Sequence, residues 1–321
     1  MLILNAAATE AALPWHSLID ALDHMFQADC QMPVRSHHDM AVPGRANATL
    51  LIMPAWLPGR YCGVKLVSVF PDNHLSGLPA IQGGYILSSG ETGEPLAMVD
   101  GPVLTARRTA AASALASRFL SRKEASHMLM VGTGQLSLNL IEAHASIRPL
   151  TDISIWGRSS AKAEEIAAKA RERGLPVTAI SNLAEAARQA DIISCATLTE
   201  EPIIQGEWLK PGTHLDLVGG FKPSMREADD EAIRRSHIYV DTRAGAMKEA
   251  GDLVQPLEKG VLRPEEIKAE LAELVSGIRA GRSSASDITL FKSVGAALED
   301  LAGAILAYET VKATSDNTQS S

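Results

Sequence analysis

Cysteine is scarce in this chain of 321 residues: Cys30, Cys62 and Cys195 are the whole supply. They lie far apart and form neither a CxxC pair nor a cysteine–histidine spacing of the kind that holds a metal, which excludes a disulfide scaffold and a structural zinc site. Their apolar or small-residue neighbours read as three buried thiols in a reducing compartment. Aromatic residues make up only 4% while alanine is abundant, a balance that suggests helices packed through small side chains. Positive charge is in deficit, with a formal net charge of −8. That argues against nucleic acid or an anionic membrane surface as a partner, since both need a basic footprint. A few local arginines and helix N-termini can still hold an anionic cofactor and substrate. No run approaches the ~18 apolar residues of a membrane span, and the N-terminus lacks the basic stretch of a signal peptide. The expectation is a soluble cytoplasmic protein.

What is present is a globular composition, 46% apolar and 21% charged, in a chain long enough for two domains. The first hundred residues mix a helix over 13–28 with β-branched segments around 48–56, 63–70 and 80–89, each bounded by Pro/Gly turn chemistry. An antiparallel or mixed sheet is expected there. Residues 104–120 contain no Gly or Pro and many alanines, and they read as a helix. From His127 onward, apolar strands alternate with helices, the pattern of a parallel sheet covered on both faces. One helix in this block, 160–173, is expected to be capped by Ser160 and Gly174. A strand-like segment at 287–291 precedes a last helix over 294–313, and residues 314–321 read as a solvated tail. The fold class is therefore α/β: a Rossmann-type doubly wound parallel sheet, residues 119–285, inserted in a second α+β domain for substrate binding and dimerisation, residues 1–118 plus 286–321.

The first chemical motif is strand–Gly132-Thr133-Gly134-Gln135-Leu136-Ser137–helix. Glycine at 132 permits the tight turn, glycine at 134 admits a pyrophosphate at the positive helix end, and Ser137 is small enough for close helix–strand packing. After the next strand, a site that prefers NAD places an acidic residue against the ribose 2′-hydroxyl. This chain offers Arg158, Ser159 and Lys162 instead, donors suited to a 2′-phosphate. NADP(H) is the expected cofactor, with NAD(H) possible.

Together, several segments resemble the ornithine cyclodeaminase/μ-crystallin family over nearly the whole chain. They are Pro33-Val34-Arg35, Met53-Pro54, Gly63-Val64-Lys65, residues 104–111, Val131-Gly132-Thr133-Gly134, Glu201-Pro202, Val218-Gly219-Gly220, residues 249–253 and 291–295. The resemblance implies an inserted Rossmann domain, a homodimer, and action on α-imino or α-amino acids. It also implies that Arg35, Lys65 and Arg108 hold the substrate carboxylate, and that Thr197, Val218, Gly219, Ser293 and Gly295 are cofactor-binding positions. Cationic side chains in such apolar segments are costly to bury without an anion. Arg107 and Arg108 point about 100° apart on a helix, so at most one comfortably faces a pocket.

Two departures from the family pattern narrow the activity. The cyclodeaminases carry an acidic residue after the Val-Gly-Gly triplet and a glutamate two residues before Met-Pro; here those positions are Phe221 and Leu51. A phenyl ring cannot exchange a proton, so cyclodeamination is not expected. The sequence is most similar to the ketimine reductases of the family, which reduce Δ1-pyrroline-2-carboxylate or Δ1-piperideine-2-carboxylate to L-proline or L-pipecolate. Leu51, Met53 and Phe221 would give an apolar pocket for the ring. Lys65 is the one matched titratable group placed to protonate the imine nitrogen, with a third carboxylate contact as its other role. His37 and His38 read as surface features. Two other readings stand beside this one. An acyclic imino-acid reductase (iminosuccinate reductase or alanine dehydrogenase) would draw a further cation from Lys222, Arg45 or His37. A crystallin-like protein would bind NADPH without catalysis.

Overall fold

The computed structural model describes residues 1–319. The chain forms two compact units, Met1–Arg108 with Ala297–Ser321, and Thr109–Ala296. The first unit opens with β1 (Leu2–Leu4), α1 (Ala6–Ala11) and α2 (Trp15–Gln27). Then come β2 (Ser36–Met40), β3 (Ala48–Leu57), β4 (Tyr61–Val69), β5 (Ile81–Ser89) and β6 (Pro95–Asp100). α3 (Gly101–Leu120) follows and carries the chain across the unit boundary. Its Ala110, Ala111, Ala112, Ala114 and Ala116 are fully buried, as expected of a helix that is small and apolar on every side.

The second unit continues with β7 (His127–Val131), α4 (Leu136–Ile147), β8 (Asp152–Trp156), α5 (Ser160–Glu172), β9 (Val177–Ala179) and α6 (Leu183–Gln189). Next are β10 (Ile192–Cys195), β11 (His214–Leu217), α7 (Asp230–Arg235) and β12 (His237–Val240). α8 (Arg243–Glu249), α9 (Gly251–Glu258), β13 (Ile267–Glu270), α10 (Leu271–Val275) and β14 (Thr289–Lys292) complete it. Its sheet has the order β13-β12-β14-β11-β10-β7-β8-β9, and every pairing is parallel. The strands are buried, with Leu129, Val131, Ile193, Leu215, Leu217, Val240 and Leu290 in one core. From β7 the chain winds outward through β8 and β9, then restarts on the other side of β7 with β10. That reversal is the point where the loops after two adjacent strands part and leave a crevice.

Three local expectations need correction. The segment at 287–291 does not lead into the other domain: β14 pairs with both β11 and β12 inside the parallel sheet. The boundaries expected at 118/119 and 285/286 fall instead at 108/109 and 296/297. The cap of α5 is Ser159, whose hydroxyl accepts from the Lys162 N–H at 3.4 Å, and not Ser160; Gly174 does terminate that helix, at φ +81°.

The last helix, α11 (Ala297–Gln319), returns to the first unit. It extends through most of the segment expected to be a solvated tail; Ser320 and Ser321 lie outside the described residues. The six strands of this unit run in the order β1-β6-β5-β4-β3-β2 as a mixed sheet, β1 being parallel to β6 and the rest antiparallel. Cross-strand register puts Leu4, Val99, Tyr85, Lys65 and Met53 in one line, and all five are buried. α11 packs against β3, β4, β5 and α2. The opposite line is Ile3, Met98, Ile86, Val64 and Pro54; there Ile3 is 74% and Met98 45% exposed.

Candidate functional site

In the second unit the glycine motif expected to cradle a dinucleotide lies in the turn after β7. Gly132 adopts φ +123°, and a Cβ there would meet the Ala196 carbonyl oxygen at 2.6 Å, so the turn after β7 admits only glycine. Its N–H donates to the Trp156 carbonyl at 2.9 Å, and the Ser137 hydroxyl donates to its carbonyl at 3.0 Å. Gly134 has open space where a Cβ would be. Gln135, exposed, caps α4 without a side-chain hydrogen bond, and Leu136 begins the helix. The helix end therefore keeps N–H donors for a ligand. Thr133 leans over Gly157, where a side chain would collide with its methyl. Arg158 and Lys162 are exposed beyond β8, and Ser159 is half-buried and committed to its cap. These residues fit a dinucleotide: positive φ, an open glycine and an uncapped helix converge at the switch point.

The other expected cofactor positions are tied to buried carboxylates that sequence reasoning missed. Thr197, after β10, donates its N–H and hydroxyl to Glu227 Oε1 at 2.7 and 2.8 Å, and the Gly219 N–H donates to Glu227 Oε2 at 2.8 Å. Val218 continues the parallel ladder, its N–H donating to the Cys195 carbonyl at 2.9 Å. A Cβ on Gly219 would overlap the Thr197 backbone, and one on Gly220 would sit 2.9 Å from Asp252 Oδ2 and 3.4 Å from Lys292 Nζ. Gly219 is thus required by the Thr197 backbone, and Gly220 lies tight against a buried ion cluster. Lys292 is fully buried, 2.9 Å from Asp252 and 4.0 Å from Glu227. Burial opposes its charge, but Asp252 and Glu227 overcome that and hold the ammonium above its usual range. Burial, against the pull of Lys292, raises Glu227. Ser293 and Gly295 follow the same logic around Asp241: its Oδ2 accepts from the Ser293 hydroxyl at 3.1 Å and from the Val294 and Gly295 N–H groups at 2.7 Å each.

In the first unit the structure brings Lys65 and Arg108 together. Asp300 Oδ1 lies 2.9 Å from Lys65 Nζ and 2.9 Å from Arg108 Nε, Asp300 Oδ2 is 2.8 Å from Lys65, and Glu299 Oε2 is 2.6 Å from Arg108 Nη1. All four side chains are buried. The anions that make these cations tolerable are therefore built in, on the first turn of α11, where the helix dipole favours carboxylates. Burial and then the Arg108 charge pull the Lys65 ammonium down to about 8, against Asp300 and Glu299. Arg108 is raised, its two carboxylates outweighing burial. Thr105 Oγ1 stands 3.5 Å from Lys65.

Arg107 is buried too, but on another side of the helix, in keeping with the expectation that at most one of the pair faces a pocket. It turns away, donating to the Leu13 carbonyl at 2.7 and 2.9 Å and stacking 4.0 Å from the Trp15 ring. Arg35 is half-buried one residue before the Ser36–Ile52 pair. Leu51 is half-buried and Met53 buried on β3. His37 and His38 are exposed on the edge strand β2, and Arg45 is exposed in the following loop. Phe221, 40% exposed after β11, belongs to the second unit, with Lys222 Nζ 5.9 Å from its ring.

Comparison with known proteins agrees with this geometry. The model of the ornithine cyclodeaminase/mu-crystallin family matches residues 1–315. An uncharacterized protein of Schizosaccharomyces pombe is 45% identical over 317 residues, 95% of this chain and 96% of that protein. A Δ1-pyrroline-2-carboxylate reductase of Colwellia psychrerythraea is 36% identical over 309 residues, 95% of this chain and 97% of the relative. Among solved structures, Thermococcus litoralis Δ1-pyrroline-2-carboxylate reductase in complex with NADH and L-proline superposes with a TM-score of 0.92 at 32% identity, over 98% of each chain. Among the described residues no helix is long and apolar enough to cross a membrane.

Proposed function

The chain belongs to the ornithine cyclodeaminase/mu-crystallin family, and from that premise we propose that it is an NAD(P)H-dependent imine reductase that converts a cyclic α-imino acid, Δ1-pyrroline-2-carboxylate or Δ1-piperideine-2-carboxylate, to L-proline or L-pipecolate. The observation that carries this reading is the buried Lys65–Arg108 pair, a lysine and an arginine held together on Asp300 at 2.8 and 2.9 Å, with burial drawing the Lys65 ammonium down to about 8. The relatives named for pyrroline-2-carboxylate reduction support it.

Residues 132–136, Thr197, Val218, Gly219, Ser293 and Gly295 would hold the dinucleotide, and the reduced nicotinamide supplies a hydride when bound. Arg158 and Lys162 support a preference for NADP(H), since the 2′-phosphate needs donors and no acidic residue stands between Trp156 and Ser160. Arg35 and Arg108 orient the substrate carboxylate, which fixes the reacting carbon. Lys65 delivers the proton that the imine nitrogen takes up, a role its lowered proton affinity suits better than that of a third carboxylate contact. Phe221 and Leu51 cannot carry a proton, which leaves cyclodeamination without its acid–base group.

The protein is proposed to act as a homodimer. Ile3, Met98 and Leu66 are 74, 45 and 38% exposed on the face of the mixed sheet opposite Lys65, and apolar surface of that kind calls for a partner.

NADPH oxidation at 340 nm tests the reading, with Δ1-pyrroline-2-carboxylate run beside Δ1-piperideine-2-carboxylate, iminosuccinate, and pyruvate with ammonia. Turnover on the cyclic imines alone is expected. Turnover confined to an acyclic imine would overturn the ring assignment.

A further inference from the structure

We propose that Asp300 is the positioning residue of the reaction: one carboxylate that fixes Lys65 as proton donor and Arg108 as substrate ligand in a single geometry. The proposal rests on the imine-reductase reading for the fate of the proton, but its structural half stands on the free protein.

Asp300 contacts both cations, Lys65 and Arg108, and Glu299 adds a second carboxylate on Arg108. A lysine amine on a flexible stem with three donors has no fixed direction in an open cavity. Here Nζ is held by both Asp300 oxygens at 2.8 and 2.9 Å and faces Thr105 Oγ1 at 3.5 Å. The same Oδ1 that accepts from Lys65 also accepts from Arg108 Nε, so one oxygen sets the position of both cations. A buried ion pair is weak evidence of stability, because apolar residues of like volume often do better. Four fully or nearly fully buried charged groups in contact suit positioning better than packing. The backbone adds to this. Lys65 stands opposite Tyr85 on β5 and Met53 on β3, and Tyr85, with no exposed surface, fills the space above Gly63. A dry wall therefore leaves Asp300 as the strongest partner of the amine.

Other titratable groups around Lys65 are Arg108 on α3, Glu299 on α11 and Tyr85 on β5, with Cys30 and Cys62 beyond Tyr85. Arg108 lowers the proton affinity of Lys65, while Asp300 and Glu299 raise it. Without Asp300 the amine would hold its proton less firmly, since burial and Arg108 both act against its charge. In the step itself the Lys65 Nζ–H bond breaks as the proton joins the imine nitrogen. The hydride for the resulting iminium carbon would come from a reduced nicotinamide dinucleotide held by residues 132–136, which would be oxidised in giving it, and neutral Lys65 would recover its proton from solvent.

The test pairs kinetics with the Nζ titration of Lys65 in cofactor-free enzyme, followed by NMR on 15N-lysine-labelled protein and assigned with Lys65→Met. Asp300→Asn is expected to move the Lys65 titration and the alkaline limb of kcat/KM down together, by about one pH unit or more. Asp300→Glu keeps the charge but displaces it by a methylene; the limb is expected to stay near that of the native enzyme while kcat falls about tenfold with KM little changed. A Lys65 titration unmoved in Asp300→Asn overturns the proposal. If that variant does not fold, native kcat in Asp300→Glu does so. A lowered titration in an enzyme silent on cyclic imines supports the role of Asp300 and overturns the substrate reading instead.

Discussion

Thr197 places both its N–H and its hydroxyl on one oxygen of Glu227, at 2.7 and 2.8 Å, while the other oxygen of that carboxylate takes the Gly219 N–H. The loops after two adjacent strands of the parallel sheet, β10 and β11, are thereby clipped to one buried side chain. Removing a hydrogen bond of this kind costs about 1–3 kcal/mol when a charged group is involved. Thr197→Val is accordingly expected to lower the melting temperature by a few degrees and to weaken NADPH binding several-fold. Glu227→Gln, which also unbalances Lys292, should weaken it further. Fluorescence titration of the bound nicotinamide measures both, and unchanged affinity in both variants would show that the clip does not serve the cofactor.

Gly134 and Gly219 separate the two reasons a glycine can be needed. A Cβ on Gly134 would have nothing within 4 Å, whereas at Gly219 it would run into the Thr197 backbone. Gly134→Ala should therefore fold like the native chain yet bind dinucleotide about tenfold more weakly, because only a ligand is crowded by the methyl. Gly219→Ala should lower the melting temperature even without cofactor. Thermal unfolding with and without NADPH distinguishes the two.

Arg158 is exposed after β8 and has no acidic neighbour up to Ser160. Arg158→Ala is expected to lower kcat/KM with NADPH about tenfold, the worth of one charge-assisted contact to a phosphate, and to leave NADH nearly untouched. An unchanged NADPH-to-NADH ratio would remove the basis for NADP(H) preference.

Asp191, at the N-terminal end of β10, is 2.6 Å from Arg122 and 2.8 Å from Lys210 and accepts the Ser126 and His127 N–H groups. Burial works against its charge, but these donors hold the carboxyl down at about 2. A carboxyl depressed in the folded state contributes stability above its unfolded value of about 3.9, and that contribution fades as pH falls toward 2. Asp191→Asn should thus cost about 1–3 kcal/mol at pH 7 and much less near pH 2. Urea unfolding at the two pH values checks the sign.

Met98 and Ile3 are cross-strand neighbours on the open face of the mixed sheet. Met98→Asp is expected to convert a dimer to monomer, read by light scattering on a sizing column. A native chain already monomeric at micromolar concentration would overturn the proposed dimer.

Much of the fold is legible because its signals are local. Apolar strands ending in glycine, alternating with helices from His127 onward, identify the parallel sheet without any knowledge of distant contacts. The segment at 287–291 escapes for the opposite reason: β14 finds its neighbours β11 and β12 some fifty or more residues earlier in the chain, and nothing in its own residues says so. The site divides in the same way. Gly132 and Gly134 announce themselves by spacing, and Lys65 and Arg108 stand out as cations in apolar surroundings. Their partners Glu299 and Asp300 sit at the start of a long helix and look like ordinary acidic residues of a first turn. Glu227 and Asp252 are hidden likewise, since burial of a carboxylate depends on what the fold sets over it.

A carboxylate shared by two cations also limits how the protein can change over generations. Replacing Lys65 leaves Asp300 facing Arg108 alone, and replacing Asp300 takes from Lys65 its nearest anion while Arg108 keeps Glu299, so a lineage crossing either position unbalances a buried ionic cluster unless two changes arrive together. Leu51 and Phe221 carry no such obligation, since neither belongs to a buried ion pair. Divergence toward a new substrate would then accumulate on those apolar positions first, with the ionic centre inherited unaltered.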